Sequence, residues 1–435
     1  MSVVIFKALI ALVSGLLGAW ILRTRVMELP ESAFLRWAVG LHVVSAAALF
    51  LALYVLGHQE PTSDVPAYYL PAARAVLGGE VPFRDFMSSY APLFPYVGAA
   101  LVAAWNSGKV FALFAMTLNV VTLLLWHRCA SARFDRHVTR CATVLYASSG
   151  HVFVQGLLGT NQPWIGVALA ASALLITLDR PVAAGLVQAG AACATKVLAH
   201  LFWPVFWICA PQRSKWLLAA VLPTAAVYLV FVAVGAGPQL LHPLQYEGGR
   251  MSSGNLLYLL DPFLGVTGPS ERLILDGLTA TACAVTLGWL YLRTRAVPVR
   301  DRPALLPAAL ALAGLTLMLF SKKSFTGYVI FVMYPLVLLA AAGTRRRVAF
   351  LVLFNVLLVV EPSLWFHLDG FNRSLRTWIA SGGGSVAAGF VCLDLALLAC
   401  YVYLAWLSVR WVQTTVDGAM AERKASQSTT ACSLV

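Results

Sequence analysis

Apolar residues run through this chain in long blocks, separated by short clusters of charge, Pro and Gly. The blocks fall at about 3–22, 37–57, 110–127, 141–157, 162–178, 182–197, 198–210, 217–236, 273–292, 304–320, 328–343, 348–360 and 385–408. They are too uniformly apolar for the one-faced pattern of a soluble helix, and they predict about thirteen membrane spans. Several are shorter than the ~20 residues of an upright spanning helix. The expected fold class is therefore all-α and polytopic, because a helix satisfies its backbone within its own segment inside lipid. Residues 3–22 lack a small-residue cleavage site and read as an uncleaved span.

Composition points the same way. The 435 residues are 60% hydrophobic and 11% charged, against roughly 25% charged in a soluble domain. The net charge of +13 lies mostly in short loops, which indicates topology rather than nucleic acid. Arg23, Arg25 and Arg36, the group Arg128 to Arg140, Arg213 with Lys215, Arg293 to Arg302, Arg345 to Arg347, and Arg410 with Arg423 all fit on the cytoplasmic side. They do so only if the apolar stretch 92–105 does not cross. Stretches 66–78 and 92–105 then become two helices lying along the outer face. Residues 58–109 form one external subdomain of a membrane domain spanning 1–410, and 411–435 reads as a disordered cytoplasmic tail. The eight Cys are scattered without metal-ligand spacing or a disulfide framework.

The polar chemistry collects outside. Asp64 stands just beyond a span, where a carboxylate stays ionised and can act as general base on a sugar hydroxyl. Alternatively it caps the helix that follows. Tyr68 and Tyr90, in the same loop, are candidate substrate contacts. Arg84 and Asp85 either hold substrate or pair with each other. Lys196 lies inside an apolar run, which makes it a functional candidate; snorkelling to the interface is the plainer role. His200, four residues on, shares its helix face. Arg250 has the fork that fits phosphate oxygens, with Glu247 as its other partner. Lys322 and Lys323 are adjacent external cations before Tyr328, and they favour an anionic ligand. Asn161, Gln162 and Asn255 can hydrogen-bond a sugar, or Asn255 can cap a helix. The loop 361–378 adds Trp365, His367, Asp369, Arg373, Arg376 and Trp378.

The run Asp64-x-x-x-Tyr68, Gly78-Gly79, Pro82-Phe83-Arg84-Asp85-Phe86 and Tyr90-Ala91-Pro92-Leu93 resembles the first external loop of the GT-C glycosyltransferases, bacterial mannosyltransferase-like members above all. Phe83 stands where the family usually has Tyr, and Ala91 replaces the first Pro of a pair. Gly159-Thr160-Asn161-Gln162, Ala194-Thr195-Lys196 with Pro204, and Lys323 with Tyr328 and Pro335 are similar to later family elements, in order over about 37–345. The resemblance implies a GT-C-like fold and a polyprenyl-phosphate sugar donor, mannose favoured. It implies a glycolipid or glycan acceptor and Asp64 as the base of an inverting transfer. Lys196, Arg250, His200, Lys322 and Lys323 would hold the donor phosphate. It also places the chain in a bacterial inner membrane with its site on the outer face. No cofactor and no nucleic acid are expected, although a divalent metal between Asp64 and Asp85 stays open. A transporter or flippase of a lipid-linked or anionic solute, or a lipid-linked glycan polymerase or ligase, remains the alternative.

Overall fold

A computed structural model describes residues 2–62, 64–243, 251–264, 269–343, 345–368, 375–380 and 384–432. Within them the chain is helical, and its only β-pairing is an isolated bridge from Pro82 to Phe86. In order come α1 (Ser2–Ile21), α2 (Glu31–Phe50, prolonged by a π-helical turn Leu51–Leu56), α3 (Leu70–Leu77), α4 (Phe94–Ala104), α5 (Lys109–Ser131), α6 (Arg136–Ala147) and α7 (Gly150–Leu157). Next are α8 (Gln162–Thr177), α9 (Pro181–Ala194), α10 (Trp203–Cys209), α11 (Arg213–Phe231) and α12 (Leu256–Leu264). The rest are α13 (Pro269–Thr294), α14 (Leu306–Phe320), α15 (Met333–Ala341), α16 (Arg345–Leu368), α17 (Leu375–Ala380) and α18 (Gly384–Cys432).

Eight helices among the described residues are long and apolar enough to cross a bilayer, based on α1, α2, α5, α11, α13, α14, α16 and α18. The protein is an all-α polytopic membrane protein. The apolar blocks outnumber these helices because some break. Block 141–157 divides at Ser148-Ser149, where Ser149 caps α7 by accepting from Val152 N and bonds Asn355 Oδ1 at 2.6 Å. The stretch 361–368, expected as loop, continues α16. The tail expected as disordered continues α18 to Cys432.

The core centres on α14, buried on nearly every side, which packs against α18, α13, α15 and α10, while residues of α5, α6 and α8 extend the same apolar cluster. Helices α9 and α11 lie close because Gly185 faces the α11 backbone: a Cβ there would stand 2.5 Å from Trp216 O. Small residues at such a crossing allow close packing without a strong hydrophobic drive. At the start of α2, Glu31 receives Arg140 Nη2 at 2.7 Å and His127 Nε2 at 2.8 Å, while Arg140 also donates to Met27 O at 2.7 Å. This lock ties α2, α5 and α6 at one end of the bundle. Asp64 follows the other end of α2, which spans 26 residues from Glu31 to Leu56, about 39 Å along the helix at ~1.5 Å per residue.

Candidate active site around Asp64

Both expected loop helices form, as α3 and α4, and they pack on each other. Asp64 precedes a π-helical turn, Val65–Tyr69, that leads into α3, and its side chain makes no capping bond. Instead, Oδ2 accepts from Tyr90 Oη at 2.8 Å and, more weakly, from Tyr69 Oη at 3.4 Å. Among the described residues no hydrogen bond reaches Oδ1. The wide turn explains the choice of tyrosine. In an α-helix the residue four on, Tyr68, would stack under Asp64; an i→i+5 turn brings Tyr69 there instead. The sequence offers Tyr68 and Tyr69 as a pair after Asp64 and assigns the substrate contact to Tyr68. Tyr68 packs against the surrounding ring cluster, partly exposed.

Tyr69 Oη also accepts Asn161 N at 3.1 Å. The Tyr69 ring meets Tyr90 at 5.0 Å and Phe94 at 4.8 Å. Burial, reinforced by the Asp64 charge, pushes both phenols well above their ordinary value, so both stay protonated donors.

The turn after Tyr90 bonds to the end of α9. Ala91 N donates to Thr195 O at 3.0 Å and Leu93 N to Cys193 O at 2.8 Å. Lys196, the next residue, thereby comes over the Tyr90 ring at 5.1 Å and the Tyr328 ring at 5.5 Å. Such cation–π contacts orient an ammonium without neutralising it. Lys323 approaches from the loop after α14. Burial, with the Lys196 charge adding and Asp64 opposing, lowers its ammonium to about 7.

The far wall is the turn Gly159–Gln162. Gly159 has φ +66°, and a Cβ would stand 3.0 Å from Ala112 N. Thr160 Oγ1 donates to Gln155 Oε1 at 3.3 Å. Both side-chain polar atoms of buried Asn161, and Gln162 Oε1, lack a partner among the described residues. Orphaned buried amides of this kind invite a ligand or water. Asp64, Lys196, Gln155, Thr160, Gln162 and Lys7 line one cavity of about 100 Å³. Lys7 was invisible in sequence because it lies within an apolar span, and Gln155 because it lies within block 141–157.

Several expected site residues are engaged elsewhere. Arg84 and Asp85 form an exposed ion pair at 2.7 Å, and Asp85 Oδ2 accepts Val81 N at 2.7 Å. The Arg84 hydrogen bond lowers the Asp85 carboxyl to about 2. Lys322 is buried and salt-bridged to Asp276 at 2.7 Å. Asn255 caps α12, accepting Tyr258 N at 2.9 Å and donating to Ser252 O at 2.6 Å. His200 bonds Val197 O at 3.0 Å and lines a separate apolar cavity of about 410 Å³ on the other side of Tyr90, with Trp203 and Tyr228. Arg250, Glu247, Asp369 and Arg373 lie outside the described residues.

No group of three or more His, Cys, Asp or Glu among the described residues is placed to hold a metal. With Asp85 committed to Arg84 and Val81, the pairing of Asp64 with Asp85 around a cation does not fit. Sequence reading also passed over Glu361 and Asp394, both fully buried on α16 and α18. Asp394 Oδ2 accepts Gly254 N at 3.4 Å, and a Cβ on Gly254 would stand 3.4 Å from Glu361 Oε2.

No protein-family model and no curated protein matches the chain. Among solved structures, the apo form of the Archaeoglobus fulgidus oligosaccharyltransferase is similar over 86% of this chain, at 13% identity and a TM-score of 0.37. The chain spans 56% of that protein's length. A likeness at this level decides neither fold nor activity.

Proposed function

We propose that the protein is an integral-membrane glycosyltransferase. It moves a hexose, mannose favoured, from a polyprenyl-phosphate sugar to a hydroxyl of a glycolipid or glycan, at the outer face of a bacterial inner membrane. One observation carries the proposal: a carboxylate held by two neutral phenols on one oxygen lines the same cavity as Lys196, with Lys323 beside it. Base and cations converge at a single point.

The roles follow from that arrangement. Lys196 and Lys323 attract the donor phosphate and stabilise the charge it gains on leaving. The apolar cavity beyond Tyr90 takes the first isoprene units of the donor. Asp64 Oδ1 accepts the proton of the acceptor hydroxyl as its oxygen bonds the anomeric carbon and the carbon–phosphate oxygen bond breaks. The polyprenyl phosphate leaves with the bonding pair, and Asp64 returns its proton to water. One displacement inverts the anomeric centre. Asn161 and Gln162 offer their unpartnered amides to sugar hydroxyls.

The test is transfer in vitro by purified protein, with radiolabelled polyprenyl-phosphate mannose or glucose and a membrane glycolipid extract. Asp64→Asn should lose transfer by about 100-fold or more while expressing normally. Transfer that persists in Asp64→Asn would remove Asp64 from its role. Absence of transfer from every donor, in folded protein, would overturn the glycosyltransferase.

The buried pair Glu361 and Asp394 favours a second reading, proton-coupled transport, since intramembrane carboxyls often mark proton paths. Uptake of an anionic solute into proteoliposomes, abolished by Glu361→Gln, would carry that reading instead.

A further inference from the structure

Two acids on α16 and α18 are sealed away with almost nothing bonded to them. Glu361 and Asp394 are both 0% exposed, yet neither Glu361 oxygen nor Asp394 Oδ1 has a hydrogen-bond partner among the described residues. The fourth oxygen, Asp394 Oδ2, accepts only the long bond from Gly254 N at 3.4 Å. The two carboxyls stand beside each other, and among the described residues no salt bridge reaches either. Buried acids of one sign persist only where something neutralises them.

Hydroxyls gather at the same point and are equally unused. Gly254 is held at φ +77°, and a Cβ on it would stand 3.2 Å from Thr326 Cγ2 and 3.4 Å from Glu361 Oε2. Thr326 is 1% exposed, and its Oγ1 has no partner among the described residues. Tyr401, about two turns beyond Asp394 on α18, lies near both carboxyls, and its buried Oη is also unpartnered there. So is Ser252 Oγ, on the segment that carries Gly254.

A shared proton would join two of these oxygens and leave the others as they are. A cation gathers them at once. The donors are all oxygen, which suits a hard ion rather than zinc or copper. Two carboxylates neutralise a divalent charge. Magnesium tends to keep several waters, for which so buried a pair leaves little approach, whereas calcium takes protein oxygens at ~2.3–2.6 Å in flexible geometry.

We propose that Glu361 and Asp394, with Thr326 Oγ1 and Ser252 Oγ, bind a calcium ion. Thr326 and Pro362 also line the Asp64 cavity, so the ion stands behind one wall of it. It ties α16 and α18 to the segment 251–255, whose Ser252 N donates to Lys322 O at 2.8 Å, and through it to the loop that carries Lys323. Calcium binding here rests on neither functional reading.

The experiment strips purified full-length protein with a chelator, then measures radioactive calcium by equilibrium dialysis and thermal unfolding in detergent. Wild type should bind one calcium per chain. Its unfolding temperature should fall in chelator and recover with calcium but not with equal magnesium. Glu361→Gln and Asp394→Asn should each weaken binding about tenfold or more and abolish the chelator effect, with Thr326→Val weakening it less. Asp64→Asn should bind calcium as wild type does. Wild type that binds no calcium and unfolds alike with and without chelator would overturn the site and leave the two acids sharing a proton; this arm decides even where an acid variant does not fold. Binding unchanged in all three site variants, or lost only in Asp64→Asn, would overturn the site as well. Equal rescue by magnesium would overturn the choice of calcium.

Discussion

Tyr90 holds Asp64 and Lys196 at once: its hydroxyl donates to Asp64 Oδ2 at 2.8 Å, and its ring lies 5.1 Å under the Lys196 ammonium. The two contacts can be separated. Tyr90→Phe keeps the ring and removes the hydrogen bond, so kcat should fall roughly tenfold, about 1.4 kcal/mol, with donor KM little changed. Tyr90→Leu removes both and should raise donor KM as well. Tyr69→Phe, at 3.4 Å, should cost less than Tyr90→Phe. Steady-state transfer kinetics on the three variants check the order.

Lys323 supplies a pH signature. Its ammonium is lowered to about 7 by burial and by the Lys196 charge, and only the protonated form attracts phosphate. Donor kcat/KM should therefore fall by up to about tenfold per pH unit above that point. Lys323→Arg, always charged, should flatten the fall between pH 6 and 9. The stability effect has the opposite sense. The folded state binds fewer protons than the unfolded chain between about 7 and the ordinary lysine value, so the Lys323 contribution to stability rises with pH across that window.

Gly159 holds the wall opposite Asp64 in a left-handed conformation, with a Cβ position 3.0 Å from Ala112 N and 3.1 Å from Val65 Cγ2. Gly159→Val should destabilise the protein by about 1–3 kcal/mol and reduce transfer further by moving Thr160, Asn161 and Gln162. Gly40→Ala, where nothing lies within 4 Å of the added Cβ, is the control and should be neutral or slightly stabilising. Thermal unfolding in detergent distinguishes them.

Arg140 tests the other end of the bundle. It is 1% exposed and donates to both Glu31 and Met27 O. Arg140→Ala should cost about 2 kcal/mol, below the full penalty of a broken buried pair because Glu31 is half exposed. Transfer by the remaining folded protein should be unchanged. Unfolding and single-concentration transfer assays together decide it.

What the sequence disclosed depended on contrast. Asp64 and Tyr90 were legible because they stand in a polar loop beyond a span, and Lys196 because it is a charge inside an apolar run. The two loop helices followed from charge bookkeeping across the basic loops. Lys7 and Gln155, inside runs that read as plain spans, were not singled out, because no neighbouring motif set them apart. The exchange of Tyr68 for Tyr69 turns on one extra residue in a π turn, which periodicity built on 3.6 residues does not detect. Adjacent Lys322 and Lys323 look equivalent in sequence, yet Asp276, brought in by α13, takes Lys322. That partner is 46 residues distant, and no local pattern announces it. Glu361 was assigned to the loop 361–378 because the apolar block 348–360 ends before it, but α16 continues through Pro362 to Leu368.

The shortness of α8 and α9 has a consequence for depth. With 16 and 14 residues, they measure about 24 and 21 Å, against a hydrocarbon layer of ~30 Å. If the Asp179-Arg180 turn rests at one interface, Asn161 and Lys196 lie roughly 6–9 Å beneath the other. A lipid-borne phosphate then reaches its cation without being lifted clear of the acyl chains. The membrane itself becomes one wall of the reaction vessel, and turnover should respond to acyl-chain length in reconstituted bilayers, slowing as the layer thickens and water must descend further.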